Sequence, residues 1–343
     1  MREFGVGLVG AGTISANHVA ALQTVSEARL VAVAEPREDA GRTLAETNGA
    51  AWHPDIEGLL ARSDVDVVIL GTPSGMHPEQ ATLAARAGKH VITEKPLAIT
   101  LDGADHMIAT CQDAGVTLSC IFQNRFIRDA VRLKRAVEQG LLGRPVLGNA
   151  FVHWNRPQEY YASAGGWRGT YDLDGGGALM NQSIHTIDLL QWMLGPVAEV
   201  SAYMGTLARD IEAEDAASAT LRFTSGAMGG IQGATSAHRS RPARVEIIGT
   251  EGAAVLEGAQ LTAWEPVSDS EPLSAEDVAR THEPEEGEPW ARSHETQFRL
   301  IFEALRDGKT PPVPGEQARN ALEIVLAIYK SARTGERVRL PLT

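Results

Sequence analysis

The sequence predicts an α/β protein of two domains, and three observations carry that expectation. At 343 residues the chain is longer than a single hydrophobic core usually supports. Its first third alternates short apolar runs with helical patterns, as parallel strands joined by helical crossovers require. Its second half carries a series of strand-like runs, several separated by glycine-containing turns, as in a meander of hairpins. Composition is that of a globular chain, with 43% apolar and 22% charged residues.

The first elements are explicit. FGVGLV (4–9) reads as a buried strand, GAGTIS (10–15) as a turn, and NHVAALQTV as the helix that follows. Gly10-x-Gly12-x-x-Ser15 has the spacing of a dinucleotide fingerprint with serine in the third glycine position. Gly10 permits the tight turn and Gly12 lets backbone approach a pyrophosphate. The first helical turn, with Thr13 and Ile14, offers free N–H groups to it. The strand ARLVAVAE ends at Glu35, where a carboxylate can accept from an adenosine ribose hydroxyl and repel a 2′-phosphate. NAD is therefore expected over NADP, with Arg37 as the opposing charge nearby.

The alternation continues through VDVVILGTP (65–73), EQATLAARAG, KHVITEKP (89–96), DGADHMIATCQDAG and VTLSCIF (116–122). In a parallel sheet, ligands sit beyond the C-terminal strand ends. Gly10–Ser15, Thr72-Pro73 with His77, and Glu94-Lys95-Pro96 all fall at such ends. Further on, GGGALMNQSIHTIDLLQWMLG (175–195) is a glycine turn running into an apolar helix. Asn181, His185 and Asp188 stand at i, i+4 and i+7 and share one stripe of it. Asp188 is read either as orienting His185 or as capping a partner element.

Other features exclude classes. A net charge of −13 argues against a nucleic-acid surface, and no apolar run reaches the length of a membrane span. The N-terminus shows no export signal. Cys111 and Cys120 are expected to be buried free thiols, which suits a cytoplasmic protein. His153, His185 and Asp188 lack a metal-ligand spacing, so no metal is expected. Residues 265–289, acidic and Pro-rich, read as an exposed loop.

GAGTISANH, TPSGMH (72–77), AGKHVITEKPLA (87–98), QNRF (123–126), the 175–195 stretch and the closing LEIVLAIYKSARTGERVRLPL together resemble the Gfo/Idh/MocA oxidoreductases, the group of glucose–fructose oxidoreductase and inositol dehydrogenase. The matches run in order over nearly the whole chain. The resemblance implies an N-terminal Rossmann domain (1–123) and a C-terminal α/β domain (124–343) built on an open, mostly antiparallel sheet, which in the family often makes a subunit interface. A homo-oligomer, dimer or tetramer, follows by analogy.

It also implies an NAD-dependent dehydrogenase acting on a secondary hydroxyl of a sugar, cyclitol or related polyol. Lys95 and His185 would share the proton transfer. Glu94 and Asn124 join the cofactor set, and Arg125, Trp167, Arg168, Asn181 and His185 form the substrate set. The inositol-dehydrogenase pattern has aspartate where this chain has Asn181; an amide can orient a hydroxyl but carries no charge. Alternatives are an NADP-linked reductase, a nucleotide-sugar dehydrogenase, or a regulator that binds a dinucleotide without turnover. A regulator would be expected to lack Lys95 or His185.

Overall fold

A computed structural model describes residues 3–268, 271–282 and 291–342. Met1 and Arg2, and parts of the acidic stretch 265–289, lie outside the described residues. The chain divides into two compact units, Met1–Gln123 with Trp290–Arg319, and Asn124–Pro289 with Asn320–Thr343.

The first unit alternates β1 (Phe4–Val9), α1 (Thr13–Gln23), β2 (Ala28–Ala34), α2 (Glu38–Thr47), β3 (Ala51–His53), α3 (Ile56–Leu60), β4 (Val67–Leu70), α4 (His77–Arg86), β5 (His90–Thr93), α5 (Leu101–Asp113) and β6 (Leu118–Cys120). The strands form one sheet in the order β3-β2-β1-β4-β5-β6, with every pairing parallel. β1, β4 and nearly all of β2 and β5 are buried residue by residue, because helices cover both faces of a parallel sheet. Strand order reverses between β1 and β4, so the loops after these strands open at the topological switch point. The short β3, AWH, has no apolar run to announce it and went unread in the sequence.

The second unit contributes α6 (Arg128–Glu138), β7 (Pro145–His153), α7 (Gln158–Ala162), a π-helical turn (Ala178–Ser183), α8 (Ile184–Leu194), β8 (Val197–Gly205), β9 (Ala216–Phe223), β10 (Met228–Ala234), β11 (Arg244–Gly249), β12 (Ala253–Glu257), β13 (Gln260–Glu265) and α9 (Ala275–Ala279). α10 (Ala291–Asp307) follows, then α11 (Gly315–Thr334) and β14 (Val338–Arg339). Eight strands make one sheet, β13-β12-β11-β7-β10-β9-β8-β14, antiparallel except for the parallel β10–β7 pair. That pair interrupts the simple meander suggested by the glycine turns. β7 arrives early in the chain and waits between β10 and β11.

α8 lies across β7 so closely that a Cβ on Gly148 would meet Leu194 Cδ1 at 2.1 Å. The strands alternate accordingly: Ala217, Ala219, Leu221 and Phe223 of β9 are buried, while Ser218, Thr220 and Arg222 are exposed. Within the acidic stretch, Ser274 and Asp277 form a reciprocal cap on α9, and Asp277 pairs with Arg135. The expected featureless loop therefore contains a short docked helix.

α10 differs from the two-part division at residue 123, which places it with the second sheet. Phe298, Ile301 and Phe302 of α10 enter the core of the first unit beside Phe4, Val6, Leu22 and Ile121. Gln297 donates to Cys120 O at 2.8 Å and accepts from Phe122 N at 3.1 Å, satisfying backbone that strand pairing leaves free at the end of β6.

Candidate active site

In the first unit, the turn after β1 has Gly10 at φ 97° and Gly12 as the uncapped N-terminus of α1. A Cβ at Gly12 would meet nothing within 4 Å, so backbone N–H groups of the first turn stand beside open space. Thr13 is exposed and Ile14 half-buried on that turn. Ser15 Oγ donates to Gly10 O at 2.8 Å and closes the loop, which is what the serine in the third fingerprint position does here. A depression of about 520 Å³ lies against Ala11, Gly12 and Ala16 and runs the length of α2, from Asp39 to Asn48. A helix terminus of this kind can bind an anion, and it fits the dinucleotide the fingerprint implies.

Glu35, only 4% exposed, is committed to the loop. It accepts from Ala11 N at 2.7 Å and from Arg37 N, Nε and Nη2 at 3.1, 2.7 and 3.0 Å. Burial opposes its charge, but Arg37 and the two backbone donors hold its pKa below the ordinary glutamate value. In this conformation the Glu35 carboxylate, read in the sequence as the ribose acceptor, anchors the glycine loop and neutralises Arg37. Arg37 is largely exposed and is the movable member of the pair.

Thr72 and Pro73 are half-exposed beyond β4, with Thr72 Oγ1 donating to Gln80 at 2.6 Å. His77 is fully buried, so the cofactor contact read for it is corrected to a supporting one. Its Nδ1 lies 3.0 Å from Pro96 O and its Nε2 3.1 Å from Thr72 O, which ties the loop after β4 to the one after β5. Burial pulls its pKa down from the ordinary histidine value.

Lys95 is half-buried just past β5, and its peptide bond to Pro96 is cis. Glu94 Oε2 accepts from Lys95 N at 3.0 Å, while Oε1 lies 3.2 Å from Nε2 of His18 on α1. Glu94 is buried, a penalty that His18 and the charge of Lys95 outweigh, and its pKa falls to about 2. His18 is itself wholly buried, stacked near Phe298 and His294. One helix thus joins the anion-binding turn at its start to the lysine-bearing loop one turn on. His18 escaped the sequence reading because a histidine in an amphipathic helix carries no signal of its partner.

In the second unit, the glycines before the π-helical turn are packed rather than open. A Cβ on Gly176 would meet Tyr329 Oη at 2.0 Å, and one on Gly177 would meet Glu214 O at 2.0 Å. Glu214 accepts from Gly177 N at 3.1 Å, Leu179 N at 2.8 Å and Tyr329 Oη at 2.9 Å, and so fixes the start of the turn. Burial raises its pKa to about 7 against those hydrogen bonds. The close approach that these glycines permit therefore serves Glu214 and Tyr329.

Asn181 and His185 are half-buried, and Asp188 is 1% exposed. The single polar stripe is corrected on this point, since Asp188 turns inward and takes Nε and Nη2 of Arg125 at 2.7 and 2.6 Å. Arg125, also buried, is spent on that pair rather than offered to substrate. Burial pushes the Asp188 pKa up while Arg125 pulls it down, and the net direction is upward. Asn181 Nδ2 donates to Asp174 Oδ1, and Asp174 Oδ2 accepts from Gly169 N at 2.8 Å. The carboxylate absent at position 181 is thus present one hydrogen bond away, at a residue the sequence reading did not single out.

Trp167 and Arg168 are half-buried beside Tyr160, with the Arg168 guanidinium 4.4 Å from the Tyr160 ring centre. Tyr161 is a core residue, its hydroxyl donating to Thr235 at 2.7 Å. Asn124 is buried, and its Oδ1 has no hydrogen-bond partner among the described residues, an acceptor left over for a ligand donor. Among the described residues no three His, Cys, Asp or Glu side chains gather as a metal site.

The family model described as an oxidoreductase family with an NAD-binding Rossmann fold matches residues 4–122, and the GFO/IDH/MocA C-terminal domain matches residues 130–255. The chain belongs to the Gfo/Idh/MocA family. It is accordingly an NAD-binding oxidoreductase.

Among its relatives, the 1,5-anhydro-D-fructose reductase of Ensifer adhaerens is 29% identical, with 97% of this chain and 98% of the relative covered. A myo-inositol 2-dehydrogenase of Thermotoga maritima is 28% identical, with 98% of each covered. The WlbA dehydrogenase of Bordetella pertussis, solved with NADH and UDP-GlcNAcA, is 36% identical with a TM-score of 0.90, and all of both chains is covered.

Proposed function

We propose that this oxidoreductase moves hydride between NAD and a secondary hydroxyl of a sugar, cyclitol or related polyol, with Lys95 and His185 sharing the hydroxyl proton. The observation that carries the reading is the framing of Lys95. Its backbone N–H is held by Glu94, His18 lies against Glu94, and the Pro96 carbonyl is held by His77, so three buried groups fix the backbone that carries one half-buried lysine. Such investment in the orientation of one lysine is what a proton-transfer group needs. The nicotinamide, when bound, accepts the hydride at its C4 as the alcohol carbon is oxidised.

His185 supplies a group whose ordinary pKa lies near neutrality. Asn181, oriented by Asp174, positions the sugar as donor and acceptor. Trp167 and Arg168 complete the substrate set, and Asn124 offers its free acceptor to the nicotinamide amide. Gly12, Thr13 and Ile14 hold the pyrophosphate, and the loop at Thr72–Pro73 borders the coenzyme. At the ribose, Arg37 swings away and Glu35 takes the hydroxyl. A regulator without turnover would have no use for this framing of Lys95.

The test is an NAD-reduction screen over neutral sugars, anhydrosugars, inositols, sugar acids and nucleotide sugars. Lys95→Ala is expected to lose at least about 10³-fold in kcat while keeping NADH affinity within about threefold. Residual turnover with impaired NADH binding would refute the assignment, and a wild-type preference for NADP would refute the role given to Glu35.

The reading extends to self-association, supported by Tyr203 and Met228 exposed on the larger sheet and by Leu207 exposed just beyond β8. A depression of about 480 Å³ lies there against His153, Tyr203 and Leu207. Light scattering is expected to give at least twice the monomer mass. Both cysteines are buried and free, as suits the cytoplasm.

A further inference from the structure

We infer that Arg156 and Arg168, gathered on Tyr160, form an anion-binding subsite, so that the substrate is a sugar carrying a carboxylate or a phosphate rather than a neutral one. The inference rests on the dehydrogenase reading above and narrows it.

Arginines in this acidic chain are generally answered by carboxylates. Arg37, Arg125, Arg135, Arg306 and Arg319 all form ion pairs. Among the described residues Arg156 and Arg168 meet none. Their guanidinium carbons lie 5.2 and 4.4 Å from the centre of the same Tyr160 ring. Arg156 also stacks on Trp154 at 4.9 Å and Arg168 on Trp167 at 5.6 Å.

Among the described residues Arg156 spends only Nε, donating to Gln182 Oε1 at 2.8 Å. Among them Arg168 spends only Nη1, on Tyr160 O at 3.3 Å and Ser163 Oγ at 2.7 Å. A guanidinium carries five N–H donors in a planar fork, so both keep donors suited to a planar or tetrahedral oxyanion. A third arginine, Arg209, stands on the neighbouring Asn155, and its buried Nε has no partner among the described residues. The exposed acids nearby, Glu159 and Asp210, pair with none of the three, and the buried Asp215 carboxylate accepts from the backbone N–H of Arg209 at 2.7 Å and not from its guanidinium.

The cluster also connects to the helix that carries His185. Gln182 Nε2 donates to Tyr160 Oη at 2.8 Å and to Asn181 Oδ1 at 2.6 Å, so one side chain links Arg156, Tyr160 and Asn181. A structural role alone would not require two like charges to share a ring with no counterion. Their mutual repulsion is relieved when an anion enters.

The experiment is isothermal titration of the NADH-loaded protein with D-glucuronate, UDP, D-glucose and myo-inositol. Binding of D-glucuronate with UDP silent assigns a carboxylate, and the reverse assigns a diphosphate. In either case Arg156→Gln and Arg168→Gln are each expected to weaken the charged probe about tenfold, leaving NADH affinity and melting temperature in place. Arg168→Lys, which keeps the charge but not the fork, should fall between. Two outcomes overturn the inference: neither charged probe binding, or both glutamine variants binding the charged probe as the wild type does. Turnover of neutral sugars unaffected by the arginine variants would overturn it while leaving the dehydrogenase reading intact. Absence of NAD reduction with every sugar would instead remove that reading.

Discussion

Two glycine turns precede two helices in this molecule, and they do opposite things. At Gly12, in the first unit, the space a side chain would fill is open, and the helix behind it begins without a cap. At Gly176, in the second unit, that space is taken by the hydroxyl of Tyr329, and the following amides are bound by Glu214. The first glycine leaves room for a ligand; the second leaves room for the protein. Both are glycine turns before a helix in the sequence, and the far partner shows what fills the space at each.

The contrast can be tested from its strongest consequence downwards. The helix after the second turn is anchored by a buried ion pair, and Asp188→Asn removes the carboxylate charge that holds Nε and Nη2 of Arg125. A loss of roughly 3–5 kcal/mol is expected, read as a lower urea midpoint. Unchanged stability would mean that the pair does not secure this helix. Gly176→Ala is expected to cost about 3 kcal/mol, because Tyr329 must move. Gly12→Ala should change stability by less than about 1 kcal/mol and instead weaken NADH binding. If the two alanine variants behaved alike in melting and in NADH titration, the distinction would collapse.

A further effect concerns pH. Glu214 has a folded pKa raised to about 7 from the ordinary 4.5, so the folded state keeps a proton that the unfolded chain releases. Its contribution is full below about pH 4.5 and is lost as pH rises through about 7, a change on the order of 3 kcal/mol. Glu214→Gln mimics the protonated form, so stability relative to the wild type should climb across that window. A constant difference between the two would show that Glu214 titrates normally.

What was legible in the sequence follows a physical rule. The parallel sheet and the loops at Gly10, Thr72 and Lys95 declare themselves through local chemistry: apolar strands, glycine turns and a proline at a strand end. The supports of those loops do not. His18 and Glu94 are far apart in the chain, Glu214 reaches back to Gly177, and Asp174 stands in for the charge that Asn181 lacks. Each is a contact outside the local helix or strand pattern, between residues whose types are ordinary in isolation. Helical spacing put Asp188 on a stripe with His185, but spacing does not reveal that Arg125 is waiting inside. β10 looked like one arm of a hairpin, and its parallel partner β7 lies beyond the reach of any turn signal.

The placement of α10 bears on how the chain is made. Phe4 of β1 packs 5.8 Å from Phe302, which is synthesised about 300 residues later. Gln297 likewise closes the backbone after β6 from a sequence distance of 175 residues. During synthesis the nucleotide-binding sheet is therefore left with an uncovered aromatic seam while the whole of the larger sheet is being produced. Its last helix works as a delayed clasp, and a ribosome that stops short of residue 302 releases a coenzyme domain that has every loop it needs and no finished core.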